Sequence, residues 1–199
     1  MQKVINQLFI LILMINILNY NAQDWPNLNK YQKENATLKP IKINQKRVVF
    51  MGNSITEFWG SHSNYFSLNK EYINRGISGQ TTPQMLLRFR QDVIELRPSI
   101  VVILAGINDI AQNTGPSTVE MIANNIFSMA ELAKVNNIEV LLCSVLPAEK
   151  FSWSANIEPT KIVIELNEKI RNYAIKNQIT FVNYFDEMKN KSNGMKKEL

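Results

Sequence analysis

The chain has 199 residues, 45% hydrophobic and 20% charged, which is enough to bury the core of one domain without disulfides or metals. Its formal charge of +5 comes from scattered lysines, and without a basic stripe interleaved with aromatics a nucleic-acid partner is not expected. The single cysteine, Cys143, rules out an intrachain disulfide, and its place within the apolar run 140–145 marks it as a small buried hydrophobe.

At the N-terminus, Lys3 precedes the apolar stretch 8–15, and small Ala22 precedes Gln23-Asp24, the pattern of a secretory signal over residues 1–22. The stretch is short of the ~20 apolar residues a membrane span needs, and Asn16, Asn19 and Asn21 interrupt its end. Tyr20 is bulky where the cleavage enzyme prefers a small residue, so an uncleaved N-terminal anchor is the alternative. No cysteine lies near the cleavage point, so a lipid anchor is not expected. The mature protein is expected outside the cytoplasm, secreted or periplasmic, with no stable membrane span. Residues 23–46 read as a polar lead-in with Trp25, Tyr31 and Leu38 as isolated anchors, and residues 47–199 as the domain.

From Arg47 onward, strand and helix patterns alternate. Strands are expected at 47–51, 71–74, 99–105, 139–145 and 180–183, and helices from Ile55, over Thr82–Leu96, from Ser117 or Thr118 to Asn136, and over Thr160–Lys176. Pro83 suits a helix's first turn, and Pro98 marks a break before the third strand. Val119, Ile122, Ile126, Met129 and Ala133 recur at three- and four-residue spacing, one apolar stripe facing a sheet. Continuously apolar strands separated by amphipathic helices imply an α/β fold with a parallel sheet covered on both faces.

Three polar blocks follow three successive strands: Gly52-Asn53-Ser54-Ile55-Thr56, then Asn74 through Thr82, then Gly106-Ile107-Asn108-Asp109. Ligands of open α/β folds bind outside the carboxyl ends of the strands, where a helix start aims unpaired N–H groups at negative charge. Ser54 therefore offers both a nucleophilic hydroxyl and its own amide. Each block alone reads as structure: a helix cap, a turn glycine, a loop. Together and in this order they resemble the SGNH (GDSL-like) hydrolases, a family of serine esterases, with Asn53 standing where the family's name has Asp. The resemblance implies a flavodoxin-like three-layer α/β/α sandwich with a five-stranded parallel sheet in the order 2-1-3-4-5. It also implies an oxyanion hole made by the Ser54 amide, the Gly79 amide and the Asn108 side chain, and neither cofactor nor metal. Asp109 reads as orienting its loop and not as a triad acid.

The family's last block, Asp-x-x-His, which supplies the base, is absent. His62 is the sole histidine, in a loop leaving the first helix, and matches no motif position. Asp186 follows the fifth strand but has Lys189, not His, three residues later. Two explanations compete: a fragment lacking its last helix, which the segment 192–199 favours by resembling what leads into that block, or a degenerate homologue that kept the oxyanion hole.

The function expected is hydrolysis of acyl esters, acetyl or short-chain, on a small molecule or a glycan. A lysophospholipase or thioesterase, a non-catalytic glycan-binding remnant of the fold, and a flavodoxin-like nucleotide or flavin binder are the alternatives. No Gly-x-Gly-x-x-Gly or P-loop follows a strand, which argues against the last. Phe58, Trp59, Tyr65, Phe66, Phe151 and Trp153 are aromatics near the active edge. Most are expected in the core, and Asn53 and Trp153 are the candidate substrate contacts.

Overall fold

The structure, a computed structural model, describes residues 24–41, 45–154 and 156–198. The expected leader, residues 1–22, lies outside them. The polar lead-in, for which no helix was expected, contains helix α1 (Asn29–Thr37), whose one buried residue is Tyr31. The apolar runs form five parallel strands, β1 (Val48–Gly52), β2 (Tyr72–Gly76), β3 (Ile100–Leu104), β4 (Glu139–Cys143) and β5 (Thr180–Val182), in the order β2-β1-β3-β4-β5. This is the order the family resemblance implies.

Between β1 and β2 lie α2 (Ser54–His62) and α3 (Tyr65–Leu68), and between β2 and β3 lies α4 (Thr82–Asp92). The short α5 (Ile107–Ile110) and the long α6 (Val119–Val135) join β3 to β4, α7 (Pro159–Lys176) joins β4 to β5, and α8 (Tyr184–Met188) follows β5. The starts follow local chemistry. Thr118 caps α6 by accepting from the Met121 amide at 3.2 Å, and Thr81 with Gln84 forms a capping box ahead of Pro83 at α4. The helix expected to run to Leu96 instead stops at Asp92. A 3₁₀ turn at Ile94–Leu96 follows, closed by Arg97 at φ 51°. A residue before proline is steered out of the right-handed helical region, and Pro98 follows Arg97.

Strand alternation divides the apolar residues between two faces. Val49, Met51, Ile73, Val101, Ile103, Val140 and Leu142 point to one face and are buried. Met85 and Phe89 of α4, the α6 stripe, and Val163, Leu166, Ile170 and Ala174 of α7 complete that core. On the other face, Trp59, Tyr65, Phe66 and Tyr72 pack around Phe50 with ring centroids 5.0–6.4 Å apart. This cluster lies at the surface: Trp59 and Phe66 are only half-buried and Tyr65 is exposed, as is Phe58, so of the aromatics expected mostly in the core only Phe151 is buried there. Farther along that same face, Val102, Leu104 and Leu141 remain only half-buried. Cys143 is buried, and burial pushes its thiol up to about 12, as expected of a structural cysteine.

Candidate functional site

Parallel register brings the three polar blocks to one edge. Gly52 is level with Gly76 on one side and Leu104 on the other, so the chain leaves β1, β2 and β3 at the same height. Close approach there requires glycine. A Cβ on Gly76 would lie 2.2 Å from the Glu57 nitrogen, so the first turn of α2 rests directly on the end of β2. Beneath, the fully buried Arg88 donates to the carbonyls of Gly52 (3.2 Å) and Arg75 (2.9 Å) and pairs with Asp92 at 3.0 Å. One guanidinium thus ties the ends of β1 and β2 together.

Side chains then lash the blocks to each other. Glu57, in the first turn of α2, accepts from the Ser78 amide at 2.7 Å and the Ser78 hydroxyl at 2.6 Å. Partial burial raises the Glu57 carboxyl, but donors from Lys30 and Ser78 outweigh it and hold the group below its ordinary value. Asn108 donates from Nδ2 to the Gln80 carbonyl at 2.9 Å, joining the third block to the second. Both Asp109 oxygens accept from the Thr82 amide at 2.9 Å, and Oδ1 also accepts the Thr82 hydroxyl at 2.6 Å. Burial pushes Asp109 up to about 6 against the pull of these donors. The carboxyl binds the start of α4 and so orients its loop.

What this leaves free is informative. The Ser54 hydroxyl and amide, and the Gly79 amide, have no partner among the described residues, and Asn108 uses one of its two amide hydrogens on Gln80. Gly79 sits at φ 77°, in the left-handed region, which turns the segment 77–80 back over the edge. Asn53, proposed as a substrate contact, is 1% exposed, and its Oδ1 caps α2 by accepting from the Ile55 amide at 3.0 Å. The side chain in this structure is a helix cap, presenting almost no surface.

No imidazole accompanies the serine. His62 lies at the far end of α2, roughly 12 Å along the axis from Ser54 at ~1.5 Å per residue, with Nδ1 beside Phe58 O at 3.0 Å and Ser61 Oγ at 3.1 Å. Asp186 is held by Lys189 at 2.5 Å and Arg171 at 3.2 Å, and the Lys189 contact foremost drives its carboxyl down to about 2.

Two cavities meet at Ile55, the residue after Ser54. One, of about 210 Å³, is lined by Ile55, Trp59, Leu104, Leu146, Tyr184 and Met188 and is almost wholly apolar. The other, of about 430 Å³, shares Ile55 and Leu146 and extends along the loop after β4 to Phe151, Trp153 and Met195. A larger cavity of about 690 Å³, at Ile94, Arg97, Pro98 and Ile138, lies at the amino-terminal edge of the sheet, away from these groups. Trp153 is 62% exposed; its Nε1 donates to Asn113 Oδ1 at 3.1 Å, and Asn113 Nδ2 donates to the Gly79 carbonyl at 3.1 Å. Glu57 and Asn113 are the site residues that sequence reasoning missed. Glu57 had a detectable signal, an acid in the turn after Ser54, whereas Asn113 is an isolated loop residue with none.

The model of the GDSL-like lipase/acylhydrolase family matches residues 50–199. The fold is similar to that of a GDSL-like lipase from Bacteroides thetaiotaomicron VPI-5482, 49% identical over 85% of this chain and 84% of that one, with a TM-score of 0.82. It is also similar to a provisionally assigned acylhydrolase from Bacteroides fragilis NCTC 9343, 47% identical over 88% and 86% of the two chains, with a TM-score of 0.85. A shorter stretch of 82 residues, 40% of this chain, is 33% identical to the uncharacterized lipoprotein YqeF of Bacillus subtilis (strain 168) and spans only 34% of that protein's length.

Proposed function

The chain belongs to the GDSL-like lipase/acylhydrolase family, and on that premise we propose that it hydrolyses acyl esters, acetyl or short-chain, through an acyl-enzyme on Ser54. The Ser54 oxygen bonds to the ester carbon while a base takes its proton and returns it to the departing alcohol; water then releases the acid and restores the serine. The observation that supports this reading is that, at one edge of the sheet, the Ser54 hydroxyl, the amides of Ser54 and Gly79 and one Asn108 amide hydrogen have no partner among the described residues. Donors of this kind, fixed before the reaction, each stabilise a tetrahedral oxyanion by about 3–4 kcal/mol. The apolar cavity of about 210 Å³ beside Ile55 supports a short acyl group. The base belongs to an Asp-x-x-His block that residues 1–199 do not contain.

The test is covalent labelling by a fluorophosphonate in a chain completed with that block. Modification should map to the peptide containing Ser54 and vanish in Ser54→Ala. Labelling that persists in Ser54→Ala, or none at all, would remove the reading. The absence of an imidazole near Ser54 favours, as the second reading, a non-catalytic protein that keeps the pocket for binding, and failure to label would support it.

Export is part of the same proposal. No helix among the described residues is long and apolar enough to cross a membrane, and the expected leader ends at Ala22. Expressed with its own N-terminus in a bacterium, the protein should be recovered outside the cytoplasm beginning near Gln23. Exported material that began at Met1 would favour the anchor.

A further inference from the structure

We propose that Trp153 is a platform for a sugar ring on the alcohol side of the ester, and that Asn113 is a positioning residue coupling this platform to Gly79. The proposal rests on the reading of Ser54 and Gly79 as an esterase site. A tryptophan that is 62% exposed would ordinarily be free to turn, but this indole is held from two directions. Buried Phe151 lies against it with ring centroids 5.1 Å apart, and its N–H is fixed on Asn113. The Asn113 amide is used at both ends, its oxygen for the indole and its nitrogen for the Gly79 carbonyl. Flipping the amide would set donor against donor and acceptor against acceptor, so the arrangement is directional. The Asn113 backbone amide also donates to the Asn108 carbonyl at 3.0 Å. One residue therefore connects the loop after β4 with both loops that carry the remaining oxyanion donors.

The shape of the platform points to its occupant. A pyranose has an apolar C–H face and a rim of hydroxyls, which suits one flat indole face beside hydrogen-bonding groups. Glu149 and Lys150 line the same cavity of about 430 Å³ and supply such groups. An acyl chain is better served by the smaller, almost purely apolar cavity across Ile55. The ester then lies over Ser54 with its ring toward Trp153, and binding on the indole bears on the Gly79 peptide through the Asn113 amide.

The test titrates the protein with an acetylated xylo-oligosaccharide and, separately, with ethyl acetate, which has the ester without the ring, following backbone amides by NMR. The oligosaccharide should bind and move the Gly79 amide resonance. Trp153→Ala should weaken oligosaccharide binding about tenfold or more, equivalent to about 1.4 kcal/mol, and leave the response to ethyl acetate unchanged. Trp153→Phe, which keeps an aromatic face but has no N–H, and Asn113→Ala should still bind the oligosaccharide while the Gly79 resonance no longer moves. Both positions are exposed, so the variants are expected to fold. Undiminished binding by Trp153→Ala, or no binding by the unmodified protein at millimolar sugar, would overturn the platform. A Gly79 shift that survives in both Trp153→Phe and Asn113→Ala would overturn the coupling. A Ser54 that fails to label would sink the esterase reading without altering any of these titrations.

Discussion

Asn108 and Asp109 are neighbours in sequence with different surroundings, one keeping an amide hydrogen without a partner among the described residues and proposed here as an oxyanion donor, the other buried under the start of α4. In a chain completed with the Asp-x-x-His block, Asn108→Ala should lower kcat by roughly a hundred- to a thousandfold with little change in KM, because the oxyanion exists only in the transition state. A change confined to KM would make the role one of ground-state binding. Asp109 reports through pH. Its folded value of about 6 lies above the ordinary carboxylate range, so between roughly pH 4 and 6 the folded state holds a proton that the unfolded chain has released. Stability from this group is therefore present below about pH 4 and lost as pH rises through about 6, by up to about 3 kcal/mol. Urea denaturation across that window should show the fall in the natural protein and a flattened profile in Asp109→Asn; an unchanged slope would assign it to other groups. For Ser54 without an imidazole, deletion of the base costs on the order of 10⁶ in kcat in comparable triads. Residues 1–199 should accordingly hydrolyse p-nitrophenyl acetate barely above background, and activity abolished by both Ser54→Ala and His62→Ala would show His62 to be a relocated base.

The elements show where local pattern sufficed and where it did not. The strand β3 is continuously apolar, and α6 carries its stripe at helical spacing, so both are legible. The helix α1 is not, because its sequence is polar apart from Tyr31, and it is held by tertiary partners instead. The Tyr31 hydroxyl donates to the Gly76 carbonyl, the Arg75 guanidinium lies 4.5 Å from the Tyr31 ring centroid, and Asn35 bonds both Arg75 and Asp92. The three polar blocks were readable because strand ends point to them. Glu57 and Asn113 act through contacts to residues far off in sequence, which no local spacing encodes. The buried arginines behind the site give a sharp contrast in energy. Asp92→Ala would leave the buried Arg88 without its counter-charge and should cost about 3–5 kcal/mol. Glu34→Ala removes a partner of Arg75 that is itself 55% exposed and should cost about 1 kcal/mol or less. Equal losses in denaturant melts would mean that burial of the partner is not what sets the value of these pairs.

On the scale of the molecule, the sheet is asymmetric: one face lies under α4, α6 and α7, while Val102, Leu104 and Leu141 on the other are half-covered. Incompletely covered apolar surface binds hydrophobic dyes and other copies of itself. The protein as 199 residues should therefore enhance anilinonaphthalene sulfonate fluorescence while folded and grow in apparent size with concentration. A dye-silent, concentration-independent monomer would show that the face is closed in solution. The sheet's margins bear on the form such association takes. Cross-β growth needs a long strand with unpaired backbone groups at an edge. Here β5 has only three residues, and at the other margin the upper end of β2 is engaged by Tyr31, Glu34 and Asn35 of α1. Self-association should consequently proceed face to face and end in amorphous, thioflavin-negative particles that redissolve on dilution, with no seeding of fresh protein.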